Sequence, residues 1–294
     1  MNRLYLLPLC SLVLVLWSAI VIAGFYQNQL ILSPAQGSSL TQVFTQMKDT
    51  LVGDWHHYGQ LFVKWQSGLF KSIFFLVLTI IPGIFLLHYL VIGPKDFTHG
   101  KPDVFYYGAL TRFVHWVAAV FFTLLVLTGL MVIFSKALGG GSMVRNARYV
   151  HILCALAFVV DAPIMFLIWV KDMFPMPYDI AWFFMLGGYL SKKKQPVPAG
   201  RFNAGQKMWF WLATFGGGAM AWTGWYMFNL NAPSETLRLF TIIHNLLGAV
   251  LTGFFIIHLY MSLFAIKGSL GSMITGYKPR EEVEVMHSRY KIRS

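Results

Sequence analysis

Two histidines, His244 and His258, fall fourteen residues apart within the apolar run Leu239–Ile266. On one helix that spacing is a rise of about 21 Å, and fourteen steps of about 100° end about 40° short of four full turns. Both rings then leave the same face, one near each end of the helix. A neutral imidazole is a good ligand for iron, and a polar ring in an apolar span is costly to leave unmatched. A single such ring has a bland alternative, a helix-end histidine whose polar tip reaches the headgroups. Two on one face of one helix call for partners at two depths.

The elements that would supply those partners are apolar stretches near the length of about 20 residues that a bilayer requires. Six are present: Leu4–Phe25, Leu69–Ile92, Arg112–Phe134, Tyr149–Val170, Lys207–Phe228 and Leu239–Ile266. A shorter stretch, Tyr178–Leu190, follows Pro175 and Pro177, is rich in aromatics, and reads as a helix lying on the membrane surface. With the amino terminus in the cytoplasm, Arg112–Phe134 runs outward and places His115 at the inner level with His258. Tyr149–Val170 runs back and places His151 at the outer level with His244. Topology thus predicts two histidine pairs, His115–His258 and His151–His244. Two bis-histidine haems stacked across a four-helix bundle account for this. Two protein ligands leave no open iron position, so the iron would carry single electrons. A structural zinc would want four ligands at each level. Cys10 and Cys154 both lie in apolar runs and are not expected to pair, and no C-x-x-C-H run offers covalent haem attachment.

Composition agrees with a membrane setting. The 294 residues are 57% hydrophobic and 12% charged, and mean hydropathy is +0.61, more apolar surface than a soluble fold hides. The net charge of +12 would suggest nucleic acid in a soluble protein. Here the Lys and Arg residues lie between apolar runs and set topology instead. Sixteen of the 23 fall inside if the amino terminus is cytoplasmic, which also puts the C-terminus there. The short outer loop Ser135–Arg148 departs from the rule with three basic residues. Arg148, one helical turn before His151, is a candidate for a haem propionate; contact with lipid or a partner protein is the alternative. Among the other histidines, His56, His57, His99 and His287 read as solvated. His88 reads as a boundary residue.

The segments Thr111–Trp116, Arg148–His151, Ile243-His244 and Ile257–Met261 resemble the four ligand segments of the formate dehydrogenase gamma subunit family, di-haem cytochromes b. The likeness continues through Tyr178-Asp179-Ile180, Arg201–Met208 (R-F-N-A-G-Q-K-M) and Lys267–Ile274 (K-G-S-L-G-S-M-I), covering roughly Thr111 to Ile274. N-A-G-Q-K and K-G-S-x-x-x-M-I are its discriminating parts. The histidines alone are shared with cytochrome b subunits of nickel–iron hydrogenases and thiosulfate reductases, which remain the alternative reading. A cofactor-free anchor or transporter is the alternative from another class. Two features depart from compact members: the first 110 residues add one or two spans, and the tail lacks their His-His-Pro and Trp-Tyr run.

The resemblance implies an all-α integral membrane subunit of an anaerobic respiratory chain in the bacterial inner membrane. It would carry two haem b groups and work with an iron–sulfur beta subunit and a molybdenum or tungsten alpha subunit. Electrons would enter on the outer face and reach a quinone, menaquinone or ubiquinone, near Asn203, Gly205 and Gln206 with His258 close by. Amide groups suit quinone carbonyls and Gly205 permits close backbone approach; an N-cap for the following helix is the alternative for Asn203. The expected organisation is a signal peptide or first anchor at 1–26 and a periplasmic segment at 27–68. An extra span with a cytoplasmic loop follows at 69–110, then a four-helix di-haem domain at 111–275 and a tail at 276–294.

Overall fold

The computed structural model describes residue 42 and residues 59–97, 103–230 and 232–292. The expected segment 1–26, most of 27–68, and His56, His57 and His99 lie outside the described residues.

The first long helix, α1, runs Gln60–Val91 and passes through a π-helical turn at Trp65–Leu69. It therefore begins at Gln60, before the apolar run at Leu69. Phe75, Leu76, Ile80, Ile84, Leu87 and Leu90 are exposed on it. Such a row is compatible with a helix only where lipid covers it. On its other side α1 packs against the helix α7, Ser234–Leu263. A Cβ added at Gly253 would lie 3.0 Å from Ile81, and one at Gly248 would lie 3.6 Å from Phe74. Small residues let the two backbones approach.

Helices α2, Ala109–Ile133, and α3, Gly141–Trp169, form an antiparallel pair joined by a short turn. Gly139, Gly140 and Gly141 all have positive φ (78°, 64° and 69°), a conformation open to glycine without strain. This turn lets α3 start at Gly141, earlier than the apolar run at Tyr149, so Arg145 and Arg148 sit on the helix and not in a loop. The surface helix α4 occupies Pro177–Phe184 and presents Ile180, Phe183 and Phe184 outward. The stretch expected as the span Lys207–Phe228 is helical in two pieces, α5 (Ala204–Trp211) and α6 (Gly217–Asn229), joined by a π-helical turn at Leu212–Gly216. Its glycines and tryptophans lower its hydropathy. Among the described residues, the four helices long and apolar enough to cross a membrane are α1, α2, α7 and α3 with its continuation to Asp172.

After α7 come a short helix α8, Gly271–Thr275, and the tail helix α9, Arg280–Met286. Strand β1 (Val104–Phe105) pairs antiparallel with β2 (Tyr277–Lys278), Val104 opposite Lys278.

The chain divides into two units, Met1–Lys64 with Thr223–Ile242 and Trp65–Trp222 with Ile243–Ser294. In the first, Arg238 pairs with Glu235 at 2.6 Å and Tyr226 packs edge-on to Phe240. The second holds a core of Val114, Phe122, Phe158, Met165, Trp169, Phe210 and Phe255, among others.

Candidate functional site

The four expected histidines meet in two pairs within the second unit. The ring centroids of His115 and His258 are 6.2 Å apart with planes at 55°; those of His151 and His244 are 6.3 Å apart at 60°. Two metal–nitrogen bonds of about 2.0 Å, plus roughly 1.1 Å from each nitrogen to its ring centre, would let one metal ion be held between two imidazoles whose centroids are on the order of 6.2 Å apart. Both pairs have that separation. Among the described residues no group of three or more His, Cys, Asp or Glu gathers to hold a metal on its own. The donor set is therefore two imidazoles per level, which suits a haem iron whose other four positions are filled by the porphyrin.

Helix geometry produces the pairs as the fourteen-residue spacing predicts. Between the two levels Phe122 of α2 touches Phe255 of α7 (5.2 Å), Phe158 of α3 (5.6 Å) and Trp209 of α5 (5.3 Å). Gly217 admits Phe158, whose Cε1 is 2.9 Å from where a Cβ would stand.

Each pair has its own setting. At the first, Trp209 stacks on His258 (5.5 Å, 19°), while Trp116 and Trp169 meet His115 edge-on. His115 Nδ1 is buried with no hydrogen-bond partner. Its helix is tied down on either side: Arg112 donates to the Ile274 carbonyl and Trp116 Nε1 donates to the Met273 carbonyl at 3.0 Å. The R-F-V-H-W and K-G-S-x-x-x-M-I elements thus grip one another, which fixes the start of α2. Gly276 completes that turn with φ 93° and would place a Cβ 2.6 Å from the Tyr107 carbonyl. At the second pair, Thr128 lies 2.8 Å from His151 Nδ1, and Gly129 leaves room for the ring, whose Cε1 would be 3.4 Å from a Cβ there.

The N-A-G-Q-K segment opens α5 with a reciprocal cap. Asn203 Oδ1 accepts from the Gln206 backbone N–H and Gln206 Oε1 accepts from the Asn203 backbone N–H, both at 2.9 Å. The capping role weighed for Asn203 is therefore present. It uses the two amide oxygens and leaves the two NH2 groups as side-chain donors, the polarity a quinone carbonyl needs. Gly205 makes space for Trp182 of α4, which would be 2.9 Å from a Cβ. Two residues on, Lys207 forms a buried ion pair with Asp179 at 2.8 Å, and Asp179 also accepts from the Met176 backbone N–H at 2.7 Å. The Y-D-I and N-A-G-Q-K elements are joined by this pair. Neither element carries a local signal of that link.

Arg148 is exposed on α3, one turn before His151. His88, in the last turn of α1, is half-buried and bonded on both ring nitrogens. Its Nε2 donates to the Tyr189 carbonyl at 2.9 Å, so its Nδ1 accepts from the Tyr260 hydroxyl at 2.5 Å. His287, expected in solvent, is buried at 3% exposure with Nδ1 2.8 Å from the Gly200 carbonyl. Burial first, and then nearby Lys278, push its pKa down to about 3, with the Gly200 bond acting the other way. The cause of the difference is the tail's docking: the Val197 N–H donates to Val285 O, and the Ser288 and Arg289 N–H groups donate to Val197 and Ala199 carbonyls.

A sequence model of the prokaryotic cytochrome b561 family matches residues 106–276, more than half of the chain. Among curated relatives, the cytochrome b556(Fdn) subunit of nitrate-inducible formate dehydrogenase from Escherichia coli K12 is 29% identical over 197 residues, 62% of this chain and 87% of the relative. The formate dehydrogenase cytochrome b556 subunit of Haemophilus influenzae is 25% identical over 193 residues, 61% of this chain and 78% of the relative. The match begins at Tyr106, ahead of His115, and ends beyond His258, so it encloses all four histidines. This chain belongs to the prokaryotic cytochrome b561 family of membrane proteins that bind haem b.

Proposed function

We propose that the chain is the membrane cytochrome b subunit of a respiratory formate dehydrogenase, with His115 and His258 ligating one haem b and His151 and His244 a second. The observation that carries this is the two histidine ring pairs, each spaced for one iron, within a chain similar to formate dehydrogenase cytochrome b556 subunits. A haem bound at each pair supplies a one-electron carrier with no open iron position. The chain takes electrons from an iron–sulfur subunit at its His151–His244 end and delivers them to quinone at its N-A-G-Q end. Formate is oxidised on a molybdenum- or tungsten-bearing partner. Asn203 and Gln206 present NH2 donors to the quinone carbonyls, Gly205 seats Trp182 against that quinone-binding segment, and Arg148 holds a haem propionate. The chain lies in the bacterial inner membrane with its C-terminus in the cytoplasm.

One experiment on anaerobic membranes containing the whole complex tests this reading. Formate should reduce two b haems per chain, and added quinone should reoxidise them. Gln206→Leu should retain both haems and their reduction by formate yet slow reoxidation by up to roughly tenfold, the loss of one neutral hydrogen bond. Haem that is reduced by dithionite but not by formate would sink the donor assignment. Wild-type reoxidation in Gln206→Leu would remove that residue from the quinone site.

A further inference from the structure

The two histidine pairs differ in what holds their outer ring nitrogens. Thr128 Oγ1 donates its single proton to the Leu124 carbonyl at 2.6 Å. With that proton assigned to the shorter contact, the same oxygen accepts from His151 Nδ1, 2.8 Å away. His151 is then the tautomer with the proton on Nδ1, which leaves the Nε2 lone pair for a metal. The other pair has nothing equivalent. His115 Nδ1 is buried and unpartnered, and His258 has ring contacts but no hydrogen bond to another described residue.

A ligating imidazole whose far N–H is hydrogen-bonded to an oxygen is the more basic ligand. It stabilises the oxidised iron over the reduced and lowers the potential, a recognised lever on haem centres. We propose that Thr128 is a positioning residue that fixes the His151 tautomer and makes the His151–His244 site the lower-potential of the two. Thr128 would thus bias electron flow from that pair towards His115–His258. The inference rests on the ligand assignment above. Thr128 itself touches no iron and acts only through His151.

Redox titration of the complex in membranes, followed by optical and electron paramagnetic resonance spectra, tests it. His151→Ala and His115→Ala first assign each signal to a level. In the wild type the signal lost with His151→Ala should have the lower midpoint. Thr128→Val keeps the side-chain shape and removes the acceptor. It should raise that midpoint and shift that haem's ferric spectrum, leaving the other haem unchanged, and Thr128→Ser should restore both. If Thr128→Val loses the haem altogether, retention with the wild-type midpoint in Thr128→Ser supports the proposal, and loss in Thr128→Ser as well overturns it. An unshifted midpoint in Thr128→Val, or an equal shift of both haems, overturns it too. So does a lower wild-type midpoint for the haem lost with His115→Ala. If His151→Ala keeps both haems, the ligand assignment has failed. If it removes one while Thr128→Val is silent, only the role of Thr128 has failed.

Discussion

The interval between the two histidine pairs and the assembly around the tail helix are built on opposite plans. Between the pairs, Phe122, Phe158, Trp209 and Phe255 fill the space with rings, and the polar groups beside them include the histidines, a few hydroxyls bonded back to their own helices and the buried carboxyl of Asp161. Around the tail, polar groups are buried and matched to one another. Lys278 pairs with Glu282 at 5% and 2% side-chain exposure. Arg201 joins Asp172 at 2.7 Å and the Tyr106 carbonyl at 3.0 Å, and the Tyr106 hydroxyl returns a bond to the Arg201 carbonyl at 2.5 Å. The first plan needs only helices of the right length and phase. The second needs specific partners brought from distant parts of the chain, and it braces the loop that leads into N-A-G-Q-K.

The largest effect should come from the first region. His151→Ala and His244→Ala should each abolish one spectroscopic haem, the same one, while His115→Ala and His258→Ala abolish the other. Haem content and difference spectra of membranes check this directly. If His151→Ala and His115→Ala removed the same signal, the pairing by depth would break, and with it the contrast between the two levels.

The histidine pairs are legible in the sequence because a fourteen-residue spacing and three apolar runs leave little freedom in where the rings go. Asn203 before Ala204 reads as a cap for the same reason, since the motif is local. Thr128 carried a weaker signal, one polar residue in the run Leu124–Val132, and its orientation towards His151 depends on how α2 meets α3. The tail carried almost none. Lys278 and Glu282 are four apart on a short charged segment with no apolar pattern around them to mark it for burial. Their burial follows from backbone bonds such as Val197 to Val285 that no local pattern encodes. The bonds of His88 to Tyr189 and Tyr260 carry no local signal either, because both partners come from elsewhere in the chain.

A smaller, local effect should mark the second region. Glu282→Gln leaves the Lys278 ammonium buried without its carboxylate, and breaking a buried pair on one side costs about 3–5 kcal/mol. The expected result is a tail cut far more readily by protease in membranes, with both haems retained. Replacing both partners, Lys278→Met with Glu282→Leu, should recover much of the loss, because two apolar side chains need no partner. Loss of haem in Glu282→Gln would show that the two regions are not separable.

The smallest effect is a pH dependence confined to the tail. The pKa of His287, pushed down by burial and by Lys278 to about 3 in the folded chain, returns to about 6.5 in the unfolded chain. Between those values the unfolded form binds the proton and the folded form does not, so docking of the tail weakens as pH falls below about 6.5 and is flat above it. Protease cutting within residues 280–292 should therefore rise from pH 7.5 to pH 5 while the haem spectra stay constant. His287→Asn keeps a donor for the Gly200 carbonyl and removes the titrating ring, so it should flatten that rise. A rise of the same size in His287→Asn would assign the response to another group. A flat wild-type profile would mean that the tail opens without exposing His287 to water.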